Sequence, residues 1–518
     1  MDPEQCKSGV FQLAKRAEAA DADQLTQTFV NFGHTLELLS NRDHQVVFGR
    51  RGTGKTHILS YLANMREKVG DVVAFVDLRQ IGSSVGMYND DTLPVSDRAT
   101  RLLIDAFQAI HDCFFDRFVG LAEQLDLSQT GPALDILAEA VTRIRVSGTQ
   151  VTRETTEQTG ESRSTTALGL SITAKEAGLS IGSKGEKATK GHTLAEKTEQ
   201  GVEQSYLNFG EVVAGFQSIA NVVGKRRIWI LLDEWGSIPL SLQPFLADMI
   251  RRALLPVSHT TVKIAAIEQR SKFQFRRENG DYVGIELGAD MSADINLDDF
   301  MVFDNDAEKA KAFFGRLIES HLRAVLPNAP PGDGALLNIL FTESRAIDEF
   351  IRACEGVPRD AMNILSMAAQ VSTDSPISVS DVRKAAQKWY VRDKERAATV
   401  RDGIQDLLHW IIAEVIGKRR ARAFLLESHA SDELIESLYD ARVLHVRKRG
   451  VSTNDKPGVR YTVYKLDYGC YVDLVTTVKA PLGLLALDDG DYVDVPPDDY
   501  RSIRRAILDL GSFYSRRI

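Results

Sequence analysis

Gly49-Arg50-Arg51-Gly52-Thr53-Gly54-Lys55-Thr56 is the stretch whose residue types and spacing could do chemistry first. It matches G-x-x-x-x-G-K-[ST] at every fixed position. The glycines let successive N–H groups point inward as a concave anion nest. A helix that begins here adds the positive end of its dipole. Lys55 is then placed to reach the β- and γ-phosphates of a nucleoside triphosphate, and the Thr56 hydroxyl to ligate Mg²⁺. The expected binding set is these eight residues and the adjoining His57. Placement between an apolar strand and a helix separates the motif from a glycine-rich turn with an incidental lysine.

A second constellation lies at Asp233 and Glu234, which end the apolar run IWILLDE. Two adjacent acids at the end of a buried strand make poor structural sense unless something positive or reactive sits nearby. Asp233 suits the shell of a magnesium ion. Glu234 suits a base that orients and deprotonates an attacking water. A third run, TVKIAAIEQ, ends at Gln269, whose amide would hydrogen-bond the lytic water or the γ-phosphate.

These groups need a frame. Gln45 to Phe48 reads as a short buried strand, and His57 to Val69 as a helix with Ile58, Leu59, Leu62 and Met65 on one face. DVVAFVDL, 71–78, is a near-continuous apolar run, the mark of a strand covered on both sides. Strand, loop, helix, strand opens a parallel α/β sheet. The runs at 226–235, 261–269 and 293–300 supply further strands. Residues 1 to about 40 read as helix, and 97–145 as strongly helical. Between 148 and 204 the chain turns rich in Ser, Thr, Gly, Glu and Lys, which reads as a solvated insertion. The repeated GLSI at 169 and 178 sharpens that to a projecting β-hairpin. Helical patterns then follow one another from about 305 to 393 with no strand between them. Residues 399–480 combine helices with two alternating strands around VSTNDKPG.

A net charge of −9 advertises no global affinity for nucleic acid, so any such surface is local. Residues 418–465 hold eleven basic side chains against six acidic ones, a footprint suited to phosphate backbones. The basic GKRRAR run and the triplet Arg447, Lys448 and Arg449 are the expected contacts; the stretch 431–441 between them is acidic. The four cysteines show no C-x-x-C spacing, which argues against structural zinc and for a reducing, cytoplasmic setting. A polar N-terminus and the lack of any run of about 18 apolar residues argue against a signal peptide and a membrane span.

FGRRGTGKT as Walker A, WILLDE as Walker B and CEGVPRDAMNIL at 354–365 together resemble the AAA+ ATPases. The last segment is similar to the sensor-2 motif, which implies that Arg359 reaches from a lid toward the γ-phosphate. The winged-helix-like segment behind it narrows the resemblance to the origin-recognition and Cdc6-like branch. That implies an N-terminal helical segment (1–35), a parallel-sheet P-loop core (36–303), a helical lid (304–397), a winged helix (398–480) and a tail (481–518). It further implies ATP and Mg²⁺ as cofactors, slow hydrolysis to ADP and phosphate, and duplex DNA as partner. A homo-oligomer through an arginine finger is also implied, with Arg251, Arg252, Arg276 and Arg277 as possible suppliers. A competing expectation is a signalling ATPase, for example in bacterial defence against phage, that oligomerises on recognising a protein partner. A processive motor or remodeller is a third.

Overall fold

The computed structural model describes residues 1–14, 22–82, 87–121, 125–142, 144–147, 202–205, 208–277, 280–300, 307–398, 402–418, 423–428, 432–452, 458–470 and 507–515, with 123, 421 and 472 singly. The two GLSI repeats, and with them the expected projecting hairpin, lie outside these residues.

Among the described residues, twelve strands run β1 Gln45–Phe48, β2 Val72–Asp77, β3 Ile144–Ser147, β4 Val202–Ser205, β5 Ile228–Asp233, β6 Thr260–Ala266, β7 Gln274–Arg276, β8 Tyr282–Gly284, β9 Ser292–Asn296, β10 Ala423–Glu427, β11 Leu444–Ser452 and β12 Arg460–Leu466. Five of them form one all-parallel sheet in the order β2-β5-β6-β1-β9. Every residue of β1, β5 and β6 is buried, which is why their sequences are mostly apolar, with Gln45 and Lys263 among the buried polar exceptions. Successive side chains still alternate between faces. Val47, Trp229, Leu231 and Ala265 join the core shared with the lid and the C-terminal helices. Val46, Ile230, Leu232 and Ile264 join the core under the helices Val95–Gly120, Leu127–Thr142, Phe209–Val223 and Gln243–Ala253.

The segment expected as the lid holds the helices Ala307–Val325, Ala335–Leu340, Ser344–Ala353, Pro358–Val371 and Val379–Trp389. Behind it, the helices Ile404–Ile411 and Glu433–Asp440 pack with an antiparallel sheet of order β10-β12-β11, a winged-helix arrangement. Residues 1–142 and 207–518 form one compact unit, and Arg143–Tyr206 a second. Of the second, the described residues form an antiparallel pair in which Ile144 faces Ser205 and Ser147 faces Val202.

Among the described residues the N-terminal forty are helical as expected, in the pieces Pro3–Gln12, Ala22–Thr28 and Thr35–Leu39. Other expectations needed correcting. The run expected at 293–300 leaves the sheet at Asn296 and turns into the helix Leu297–Phe300. β10, β7 and β8 were not anticipated: AFLLE has no alternation, and three-residue strands carry too little pattern.

Candidate nucleotide site

The loop between β1 and the helix Lys55–Lys68 is built by positive-φ glycines. Gly54 caps the helix at φ 96° and Gly52 lies at φ 85°, both in the region that side chains avoid. The Gly49 N–H donates to Ala266 of β6 at 3.2 Å, so the loop starts flush with the sheet edge. Lys55 is buried, its Nζ donating to the carbonyls of Gly49 (2.8 Å) and Arg50 (3.0 Å). Burial lowers its pKa, while the fields of Glu234 and Asp233 oppose that.

Asp233 ends β5 in register with Asp77 of β2. It is 1% exposed, and burial raises its pKa against hydrogen bonds from Thr56 and from the Glu234 N–H. One carboxylate oxygen accepts that N–H at 2.8 Å; Oδ2 is buried with no protein partner. A buried carboxylate that keeps one oxygen unpartnered while hydrogen-bonded to a neighbouring threonine suits a hard cation that keeps most of its ligands as water and phosphate. Among the described residues no group of three or more His, Cys, Asp and Glu could hold a metal by itself.

Glu234 takes φ 56° and ψ 42°, a left-handed conformation costing on the order of 1–3 kcal/mol for a side chain of this kind. It stands 3.8 Å from the Arg79 guanidinium, which is itself held by Asp77 at 2.6 Å. β2 thus supplies a cation beside Glu234, a feature sequence reasoning missed. The spacing D-x-R directly after a buried strand was the available signal.

The lid meets the loop at one point. Glu355 (φ 48°) and Gly356 (φ 76°) reverse the chain, and Pro358 starts the next helix. The Arg359 N–H then donates to the Gly52 carbonyl at 3.1 Å. A Cβ on Gly52 would fall 2.6 Å from the Arg359 Cβ. Gly52→Ala is therefore expected to lower stability by on the order of 1–3 kcal/mol and to weaken nucleotide binding, because the first turn of the lid helix must shift. Denaturation and nucleotide titration of the variant check this. A variant equal to the parent in both would show that the close approach is dispensable.

Around this junction opens a cavity of about 370 Å³. Arg51, Gly52, Gly54, Lys55, Thr56, His57, Glu234 and Arg359 line it. Part of its lining was not expected: Leu13, Leu25, Leu317, Val325 and Met362, from the N-terminal segment and the helices after the core, add apolar wall beside Gln12, Gln24 and Thr28. Such walls suit a planar base. His57 and His321 stand edge to face at 6.3 Å in the same lining, bonded to the backbone carbonyls of Leu25 and Leu317. Burial lowers the pKa of both, that of His321 to about 4, so both are neutral.

Three expected binding residues, Gly49, Arg50 and Thr53, are not among the residues lining the cavity. Thr53 Oγ1 donates to the Arg50 carbonyl at 2.9 Å. The Arg50 guanidinium is bound to Asp298 at 2.7 Å, and its N–H to the same carboxylate at 2.9 Å. Gln269 does not line the cavity either. It sits in a short turn, Glu268–Arg270, after β6, and its Oε1 is buried without a partner. Its neighbours are taken up from behind: Glu268 pairs with Arg449 at 2.8 Å, and Arg270 with Asp440. Of the possible finger arginines, Arg251 and Arg252 both bind Asp248 at 2.7 Å, and Arg276 and Arg277 are exposed.

Among the described residues no helix is long and apolar enough to cross a membrane. Residues 12–66 match the family model described as ORC-CDC6-like. No curated protein matches the chain. Among solved structures, the ORC1 protein of Aeropyrum pernix in complex with DNA aligns at 12% identity and a TM-score of 0.33, covering 86% of this chain and 93% of that one. The matched segment holds both the glycine loop and the apolar wall residues Leu13 and Leu25. Over residues 12–66, the segment that holds the glycine loop, the chain resembles the ORC-CDC6-like family.

Proposed function

We propose that the chain is a Mg²⁺-dependent ATPase switch that binds duplex DNA through its winged helix. The observation that carries it is the convergence of Lys55, Thr56, Glu234 and Arg359 on one cavity whose wall is partly apolar. Mg²⁺, when bound, would neutralise charge on the β- and γ-phosphates. The residues of the chain do the rest. Gly52, Gly54 and the helix start present N–H groups to phosphate. Asp233 and Thr56 would hold the ion. Glu234 would orient a water and take its proton, and Arg359 would sense the γ-phosphate from the lid. Leu13, Leu25 and Met362 would hold the base.

The basic surface that would meet DNA is smaller than the sequence suggested. Arg442 and Lys465 are buried, and Arg449 is paired with Glu268. Arg419, Arg420, Arg422 and Lys456 lie outside the described residues. Arg447 and Lys448, adjacent on β11, are the testable pair. Duplex affinity should rise with ATP and fall with salt at a log–log slope of about −0.9 per phosphate contacted. Changing Arg447 and Lys448 together to Ala should lower that slope by up to about 2 with ATP affinity unchanged. Anisotropy titrations across salt concentrations measure both. A salt-insensitive or absent interaction would remove DNA from the reading.

One observation favours the alternative, a sensor ATPase that oligomerises on recognising a partner. The helix Glu433–Asp440 carries Glu433 and Glu436, and its end is turned to the core: Tyr439 donates to Asp298 at 3.3 Å and Asp440 pairs with Arg270. A helix so held would have to leave the core before entering a DNA groove. ATP-driven assembly without duplex affinity in the same titrations would select this reading.

A further inference from the structure

Arg50 occupies a variable position of the phosphate loop, yet it is 2% exposed and its charge is spent behind the loop. Asp298, just past β9, holds it by both the N–H and the guanidinium. The Tyr439 ring lies 5.4 Å from the guanidinium carbon, in reach of a cation–π contact. Its Nη1 meets His445 Nδ1 on β11. Burial and the Arg50 charge push the His445 pKa down to about 3, so the ring is neutral. An arginine can only donate, so Nδ1 accepts, and Nε2–H donates to Asp467 at 2.9 Å.

The chain of buried charge continues into the lid. Asp467 takes Lys394, and Lys394 pairs with Asp360 at 2.9 Å. Asp360 is the neighbour of Arg359 and also binds Arg442. His445, Asp467, Lys394 and Asp360 are each no more than 2% exposed. Apolar residues of similar volume would fill such a space at no loss of stability. What a hydrogen-bonded chain adds is fixed geometry. Here it fixes two nucleotide-facing elements from behind: the phosphate loop through Arg50 and the Arg359 turn through Asp360.

We propose that Arg50 is a positioning residue of the nucleotide site, held through His445 by the winged helix, so that phosphate binding and winged-helix docking are one coupled equilibrium. The inference rests on the reading of the cavity as a nucleoside triphosphate site. Coupling between sites is reciprocal. A winged helix drawn away by its own partner must loosen the loop, and an occupied loop must hold the winged helix.

The test uses the full chain, Mg²⁺ and a fluorescent ATP analogue. Arg50→Met and His445→Phe should each weaken binding about tenfold, with kcat at saturation changed far less. His445→Asn, which keeps an acceptor toward Arg50, should stay within about threefold of the parent, because the contact survives. The Arg50→Met/His445→Phe double variant should bind no worse than the weaker single, since the two side chains act as one unit. Saturating nucleotide should slow hydrogen exchange across Leu444–Ser452 in the parent and not in Arg50→Met. Lowered melting temperature with unchanged affinity would mean a structural role only and overturn the proposal. So would multiplicative losses in the double variant, or Asn behaving as Phe does. If the phenylalanine variant does not fold, Arg50→Met and His445→Asn still decide the matter. A parent chain that binds no nucleotide would overturn the reading of the cavity itself, and the proposal with it.

Discussion

Glu234→Gln is expected to bind ATP as tightly as the parent and to hydrolyse it about 10²–10⁴-fold more slowly. The carboxylate follows the last residue of β5, at the cavity wall, in a left-handed backbone conformation that no glycine relieves. Strain of that kind persists where surrounding structure imposes it. Here the Asp233 carboxylate accepts the Glu234 N–H, and the Ser237 N–H donates to the Glu234 carbonyl at 2.9 Å. Glutamine has the same shape and would keep the backbone geometry, but it takes no proton from a water. Asp233 is no substitute, because it is 1% exposed and is not among the residues lining the cavity. Phosphate release together with retention of labelled nucleotide measures the two halves separately. Normal turnover in the variant would remove Glu234 from the role of base and leave the binding site intact.

The phosphate loop was legible because its chemistry is local. Glycine positions, one lysine and one hydroxyl lie within eight residues, and the strand and helix on either side follow from apolar runs and periodicity. β5 was legible for a related reason: burial on both faces writes an uninterrupted apolar run, and acids at its end stand out. What sequence could not show is convergence. Leu13 and Leu25 lie before β1, and Leu317 and Met362 lie more than two hundred residues beyond it, yet one cavity collects them. No spacing rule links positions so far apart. Gln269 shows the opposite failure. β6 lies between β1 and β5, as a water-positioning residue would require, but the turn after it is drawn toward the winged helix through Glu268 and Arg270. Arg50 is the sharpest case. A cation inside a phosphate loop reads as a phosphate ligand, and only its buried partners, nearly 250 and 395 residues away, show otherwise.

Lys55→Ala is expected to abolish useful nucleotide affinity, with a loss of about 2–5 kcal/mol, which is roughly 30- to several-thousand-fold. The ammonium is buried among the carbonyls of Gly49 and Arg50 and within the fields of Glu234 and Asp233. The carboxylates partly balance it, and the other cations on the cavity wall are held elsewhere: Arg79 is paired with Asp77 at 2.6 Å. Arg51 is exposed, and Arg359 belongs to the lid. The same burial gives the variant a signature that separates lost binding from lost folding. Burial lowers the pKa of Lys55 below its unfolded value, so between the two values the unfolded chain binds more protons. That burial costs stability below the folded pKa, and the cost fades as pH rises from the folded to the unfolded value. Alanine removes it. Without nucleotide, Lys55→Ala should melt no lower than the parent, while calorimetry with Mg²⁺-ATP registers no binding heat. A variant that unfolds early would show that Lys55 braces the loop, and one that still binds ATP tightly would show that the phosphates lie elsewhere in the cavity.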